Sequence, residues 1–190
     1  MSIARLAART VIGGLFIGHG TQKLFGWFGG PGPERAEAMM ESLQLRPGKA
    51  NALLAGATET AAGSLLAVGL ATPAAAAGLT GVMTTAIRKV HLPNGPWAAN
   101  GGWEYNVVLI AAVTALVDTG PGELSLDHVL GIERGGPAWA LGSLALGVAS
   151  AAAVMTIGAR GAAKPGAGSE DPAIAAAHGD TAGDPTTTDT

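Results

Sequence analysis

Residues 16–32 read FIGHGTQKLFGWFGGPG. The stretch starts as an apolar run of the kind that enters a bilayer, then places His19, Gln22 and Lys23 inside it. Gln22 and Lys23 stand three and four residues beyond His19, so a helix gathers all of them on one side. Two ionisable groups among Val, Ile, Leu and Phe neighbours are costly in an inert span and useful in a site. How this segment is read therefore decides the fold and the search for function together.

The surrounding composition favours the membrane. The chain has 190 residues, 48% of them apolar and only 13% charged, against roughly 25% charged in ordinary soluble domains. A formal charge of -3 argues against a nucleic-acid partner. There are no cysteines. That excludes disulfides, thiolate zinc, cysteine-ligated iron–sulfur clusters and covalently attached c-type haem.

Five segments approach the roughly 20 apolar residues that cross a bilayer. They are residues 3–28, 50–71, 72–89, 103–117 and 137–159. The second carries one charge, Glu59, and the third opens on Thr72-Pro73, where proline suits a first helical turn. The last is charge-free. A soluble buried bundle is the alternative, but these segments offer almost no polar face to water. The expected architecture is all-α: a transmembrane four-helix bundle over residues 1–136 and a fifth span over 137–159. Residues 160–190, poor in large apolar groups, are expected to form a disordered acidic tail.

Arg5 and Arg9 before the apolar TVIGGLFIG imitate a signal peptide, yet HGTQK follows in place of a small-residue cleavage site. An uncleaved first span is expected. The first connection contains PERAEAMMESLQL, a short helix with Ala36, Met39, Met40 and Leu43 on one face. It is expected to lie on the interface or cap the bundle. Alternating spans place Lys23, Arg35, Arg46, Lys49, Arg88, Lys89, Arg160 and Lys164 on one side, and Arg5, Arg9 and Arg134 on the other. The positive-inside rule then puts the N-terminus outside, although assigning Lys23, Arg88 and Lys89 to a site shrinks the asymmetry.

Glu59 is the sharpest anomaly, because an acid near the middle of a span costs about 2.5–3.5 kcal/mol even on lenient insertion scales. It should face the interior, protonated or paired. Its function-free reading is an interhelical hydrogen bond; for Lys23 that reading is snorkelling, and for His19 a bond to a carbonyl. Gly14 and Gly18 form a small-xxx-small pair that would let the second span approach and bring Glu59 to His19 or Lys23. A second polar group gathers Arg88, Lys89, His91, Asn94, Glu104, Tyr105 and Asn106 across a helical hairpin. Turn chemistry and helix-dipole complementarity account for several of these on their own. Asp127 and His128, on the opposite loop, are expected only to solvate it.

Taken in order, HGTQKLFGWFGGPG, AGATETAAGSLLAVGLATPAAAA, Met83 to Ile87, HLPNGPW, GGWEYN and GPGELSLD resemble the DoxX family of small bacterial multi-pass membrane proteins. The resemblance extends from Arg5 to Asp127 and implies a four-helix transmembrane bundle in the cell membrane, which the fifth span exceeds. The motif positions are His19, Gln22, Lys23, Glu59, His91, Asn94, Gly95, Glu104 and Asn106. Their chemistry suggests Glu59, His19 and Lys23 as catalytic candidates and Gln22, His91, Asn94, Glu104 and Asn106 as ligand-binding ones. His19, His91, His128 and His178 match no metal-ligand spacing, so no metal is expected.

The resemblance implies a subunit of a quinone-linked membrane oxidoreductase or oxidative-stress complex. Quinone would be the cofactor, and a soluble oxidoreductase partner would supply electrons. Two other readings compete: a proton-coupled small-solute transporter, which would favour a homo-oligomer, and a non-enzymatic scaffold that recruits a soluble partner. In every case the lipid bilayer is the surrounding medium.

Overall fold

Gly26, in the left-handed region at φ 73°, ends the first helix, α1 (Ile3–Phe25), three residues before the expected limit. Its N–H closes on the Gln22 carbonyl at 3.1 Å, the usual glycine exit from a helix. The computed structural model describes residues 3–163. Among these every regular element is helical, as the all-α expectation requires.

After a 3₁₀ turn at Trp27–Gly29 come α2 (Gly32–Ser42) and α3 (Gly48–Val68). Then α4 (Thr72–Ala86) winds directly into a π turn, Ile87–His91, and a 3₁₀ turn, Leu92–Asn94. A second 3₁₀ turn, Ala98–Asn100, leads to α5 (Glu104–Thr119). The short α6 (Leu126–Val129) precedes α7 (Pro137–Ala163). Beyond Ala163 the expected acidic tail lies outside the described residues.

The long helices pack around Phe16, Leu66, Leu79, Val113 and Val117, with Ala62, Ala75, Ala76 and Ala140 filling the gaps. α1 and α3 run antiparallel in very close contact. A Cβ on Gly63 would stand 2.7 Å from the Gly13 carbonyl oxygen, and one on Gly56 would stand 2.8 Å from Leu24 and 3.2 Å from the Gly20 carbonyl. The expectation for Gly14 and Gly18 needs correction, since a Cβ on either would meet nothing within 4 Å. The contact stripe is one position over, at Gly13 and Gly20, seven residues apart and matched by Gly56 and Gly63 on the partner helix.

α7 lies alongside α4 in the same direction. A Cβ on Gly147 would come 2.6 Å from Thr80, and one on Gly81 would come 2.5 Å from the Ser150 hydroxyl. The fifth long helix is therefore part of the packed body. α2 sits across one end: Ala36 and Met40 are buried with Leu45 and Ala52, and Val154 and Met155 of α7 close the cluster. Of the face expected on this helix, Met39 remains 39% exposed.

At the opposite end Asp127 is 1% exposed, not solvated. Its carboxylate accepts from the Ala71 N–H at 2.8 Å, the Thr72 N–H at 3.1 Å and the Thr72 hydroxyl at 2.9 Å. An anion there satisfies the orphan donors that start α4 and complements its dipole. It also steadies Ala71, a non-glycine residue at φ 49°. Arg9, equally buried, donates to the Leu124 carbonyl at 2.7 Å and is balanced electrostatically by Asp127. Spacing alone hid this because the two groups are 118 residues apart in the sequence.

Among the described residues one helix, Pro137–Gly161, is long and apolar enough by itself to cross a membrane. α4 and α5 have 15 and 16 residues, short of the roughly 20 a span takes.

Candidate functional site

Lys23 and Glu59 are brought together by the glycine-lined approach of α1 to α3. The ammonium Nζ lies 2.6 Å from Glu59 Oε2 and 3.4 Å from the His19 carbonyl oxygen. Glu59 is 3% exposed and Lys23 18%. An ammonium carries three N–H donors. Two are committed to these oxygens, which leaves one for whatever shares the space in front of it.

That space is a cavity of about 770 Å³, within the range of small-molecule sites. Its walls are mainly apolar, with Phe16, Leu54, Val82 and Leu109 among them, and its polar groups are few: His19, Lys23, Glu59, Lys89, His91, Tyr105 and Asn106 stand out. His19 is exposed and borders the cavity. His91 is fixed through Nδ1, 2.7 Å from the Gly101 carbonyl oxygen. A carbonyl only accepts, so Nδ1 carries the proton and Nε2 is left for other partners. Asn106 is buried and donates to the Met83 sulfur at 3.2 Å, a weak acceptor that a better one could displace.

Of the residues singled out from the sequence, His19, Lys23, Glu59, His91 and Asn106 border this one cavity. Gln22, Asn94 and Glu104 are not among its lining residues. Gln22 packs against Gly30, where a Cβ could not fit. Asn94 donates to the Gly101 carbonyl at 3.2 Å, the acceptor that also holds His91. Glu104 accepts the Ala98 N–H at 2.9 Å. These last two shape the loop that positions His91.

Two contributors escaped sequence reasoning, while Lys89, which the sequence places in the second polar group, faces the same cavity as Lys23. Lys89 reaches the cavity because the π turn rotates it inward, where it donates to the Leu43 carbonyl at 3.0 Å. Met39 and Met40 of α2 add a polarisable rim. Ser150, Ala151 and Val154 of α7 complete the wall. The methionine pair was readable as a helix face, but its docking over this cavity was not. Nor does any periodicity announce a π turn.

No curated protein and no solved structure matches the chain. The DoxX family model matches residues 4–92, covering α1 to α4 and the π turn and including Lys23, Glu59, Lys89 and His91. Asn106, Tyr105 and the α7 wall fall beyond the matched stretch. Residues 4–92 thus match a DoxX-family domain, with the Lys23–Glu59 pair inside the matched stretch.

Proposed function

We propose that the chain is a multi-pass membrane protein whose long helices α1, α3, α4, α5 and α7 span the bilayer, and that its cavity binds a quinone for a membrane oxidoreductase. The spanning reading is supported by the outward faces. Val11, Leu53, Val107, Val108, Leu141, Leu146 and Ile157 of α1, α3, α5 and α7 are each more than two-fifths exposed, an apolar coat that water would not tolerate over so wide an area. The short α4 gains length from the π turn, because Thr72 to His91 is wound without a break.

The observation that carries the binding reading is the Lys23–Glu59 ion pair set in the wall of an apolar cavity. A quinone head presents a flat apolar ring and two carbonyl acceptors. The residues present fit it: Lys23 has a donor to spare, Asn106 holds its amide only by a thioether, and leucine, valine and phenylalanine side chains supply ring-sized apolar walls. When bound, a quinone supplies reversible two-electron, two-proton chemistry. Lys23 would orient one carbonyl, and Glu59 would hold the ammonium charged and in place. His91 Nε2 and the exposed His19 would stand between the cavity and water as proton carriers. Electrons would come from a partner oxidoreductase.

The test uses the purified full chain in detergent with short-chain ubiquinone and menaquinone analogues. At one hundred times its dissociation constant a ligand stabilises its target by about 2.7 kcal/mol, which a thermal melt resolves. A shift that disappears in a folded Lys23→Met/Glu59→Gln double variant supports the reading. Absence of any shift with both quinone types in the native chain overturns it.

A further inference from the structure

A second hollow of about 770 Å³ lies between the end of α4 and the end of α7. Arg88, Lys89 and Arg160 surround it, over a floor that includes Ala152, Met155 and Ala159, and among the described residues no carboxylate lines it. Lys89 is committed to the Leu43 carbonyl. Arg88 and Arg160 make no hydrogen bond or ion pair with any described residue. Nearby Arg46 differs, being paired with Glu41 at 2.8 Å.

Three cations gathered over an apolar floor repel one another unless an anion joins them. Guanidinium forks bind phosphate oxygens in bidentate fashion, and an ammonium adds a point charge. The floor does not suit a free inorganic ion. Val148 stands one turn before Ala152 on the same face of α7 and is 46% exposed, so the apolar floor continues along the helix. A phosphate with acyl chains meets both halves of the hollow, as basic pockets between membrane helices do for acidic lipids.

We propose that this hollow binds one anionic phospholipid, its phosphate between Arg88, Lys89 and Arg160 and an acyl chain along α7. The inference rests on the membrane-spanning reading but not on quinone binding. Loss of the Arg88 and Arg160 charges leaves the fold intact, since neither group holds another described residue.

The experiment titrates the detergent-purified full chain with short-chain phosphatidylglycerol, phosphatidylcholine and inorganic phosphate. It reads the thermal midpoint together with lipid adducts by native mass spectrometry. Phosphatidylglycerol is expected to raise the midpoint and give a one-to-one adduct, with phosphatidylcholine at least tenfold weaker. An Arg88→Gln/Arg160→Gln variant should lose that tenfold preference, while Arg35→Gln, at the same end but outside the hollow, should keep it. Equal binding of both lipids, an unchanged double variant, or inorganic phosphate acting as well as phosphatidylglycerol would each overturn the proposal. Extraction of native membranes with alkaline carbonate separates the two readings. A chain that resists extraction but shows no acidic-lipid preference sinks only the lipid site, whereas a chain released by carbonate sinks the membrane reading beneath it.

Discussion

Lys23 and Glu59 meet at 2.6 Å although 36 residues separate them, and the carboxylate is much the more deeply buried of the two. The asymmetry predicts unequal single variants. Lys23→Met strands a buried carboxylate and should cost roughly 3–5 kcal/mol, the usual penalty for breaking a buried pair from one side. Glu59→Leu leaves a longer, more accessible cation that can turn toward water and should cost less. Lys23→Met/Glu59→Leu should recover most of the loss, because replacing both partners with apolar groups is often near neutral. Denaturation of the four proteins in one detergent gives the cycle. Additive single effects would mean that the pair is not coupled.

The approach of α1 to α3 gives a second set of expectations. Gly63→Leu forces a side chain against the Gly13 backbone and should destabilise by about 1–3 kcal/mol or more, as overpacking does. By spreading the helices it should also weaken the Lys23–Glu59 contact and any ligand response. Gly14→Ala and Gly18→Ala meet open space and should be neutral or stabilising by up to about 1 kcal/mol, the helix-propensity gain of alanine over glycine. Thermal melts of the three single variants decide this, and a Gly18→Ala protein as damaged as Gly63→Leu would refute the assigned stripe.

Asp127 and His128 are neighbours with opposite consequences. Asp127→Ala leaves the Ala71 and Thr72 donors without their acceptor and Arg9 without its balancing charge. A loss on the order of 3 kcal/mol is expected, since hydrogen bonds to a buried charge contribute about 1.5–3 kcal/mol each and are not additive. His128 makes an exposed pair with Glu133 at 2.9 Å. His128→Ala should change stability by less than about 1 kcal/mol. Proteolysis at the α3–α4 turn offers a local readout, accelerated in the first variant alone.

The helical type and the five long helices were legible because apolar segments and the Thr72-Pro73 start speak locally, whereas the Gly26 exit and the four-residue α6 were not. Glu59 and Lys23 were legible as anomalies, since charge in an apolar helix demands a partner whatever the fold. The choice of glycine face was not, because Gly13, Gly14, Gly18 and Gly20 are equally small and only packing tells them apart. Asp127 and Arg9 look like ordinary loop and flank charges until the chain brings the α3–α4 turn to α6. The inward aim of Lys89 depends on a π turn, a local underwinding that leaves no mark in residue spacing.

The arrangement of ends makes the spanning reading directly testable. The α3–α4 turn, α6 and the start of α7 share one end of the body, while α2, the π turn and the Ala98–Asn100 turn share the other. The chain has no native cysteine, so single introduced thiols report position without background. His128→Cys and Asn94→Cys should be labelled by a membrane-impermeant maleimide from opposite faces of sealed vesicles. Val108→Cys and Leu146→Cys, on outward apolar faces 61% and 62% exposed in the protein, should resist labelling until detergent removes the lipid. Labelling of Asn94→Cys and His128→Cys from the same face would overturn the crossing of these helices. Ready labelling of Val108→Cys in intact membranes would mean that α5 faces water, and the apolar coat would then need a protein partner to cover it.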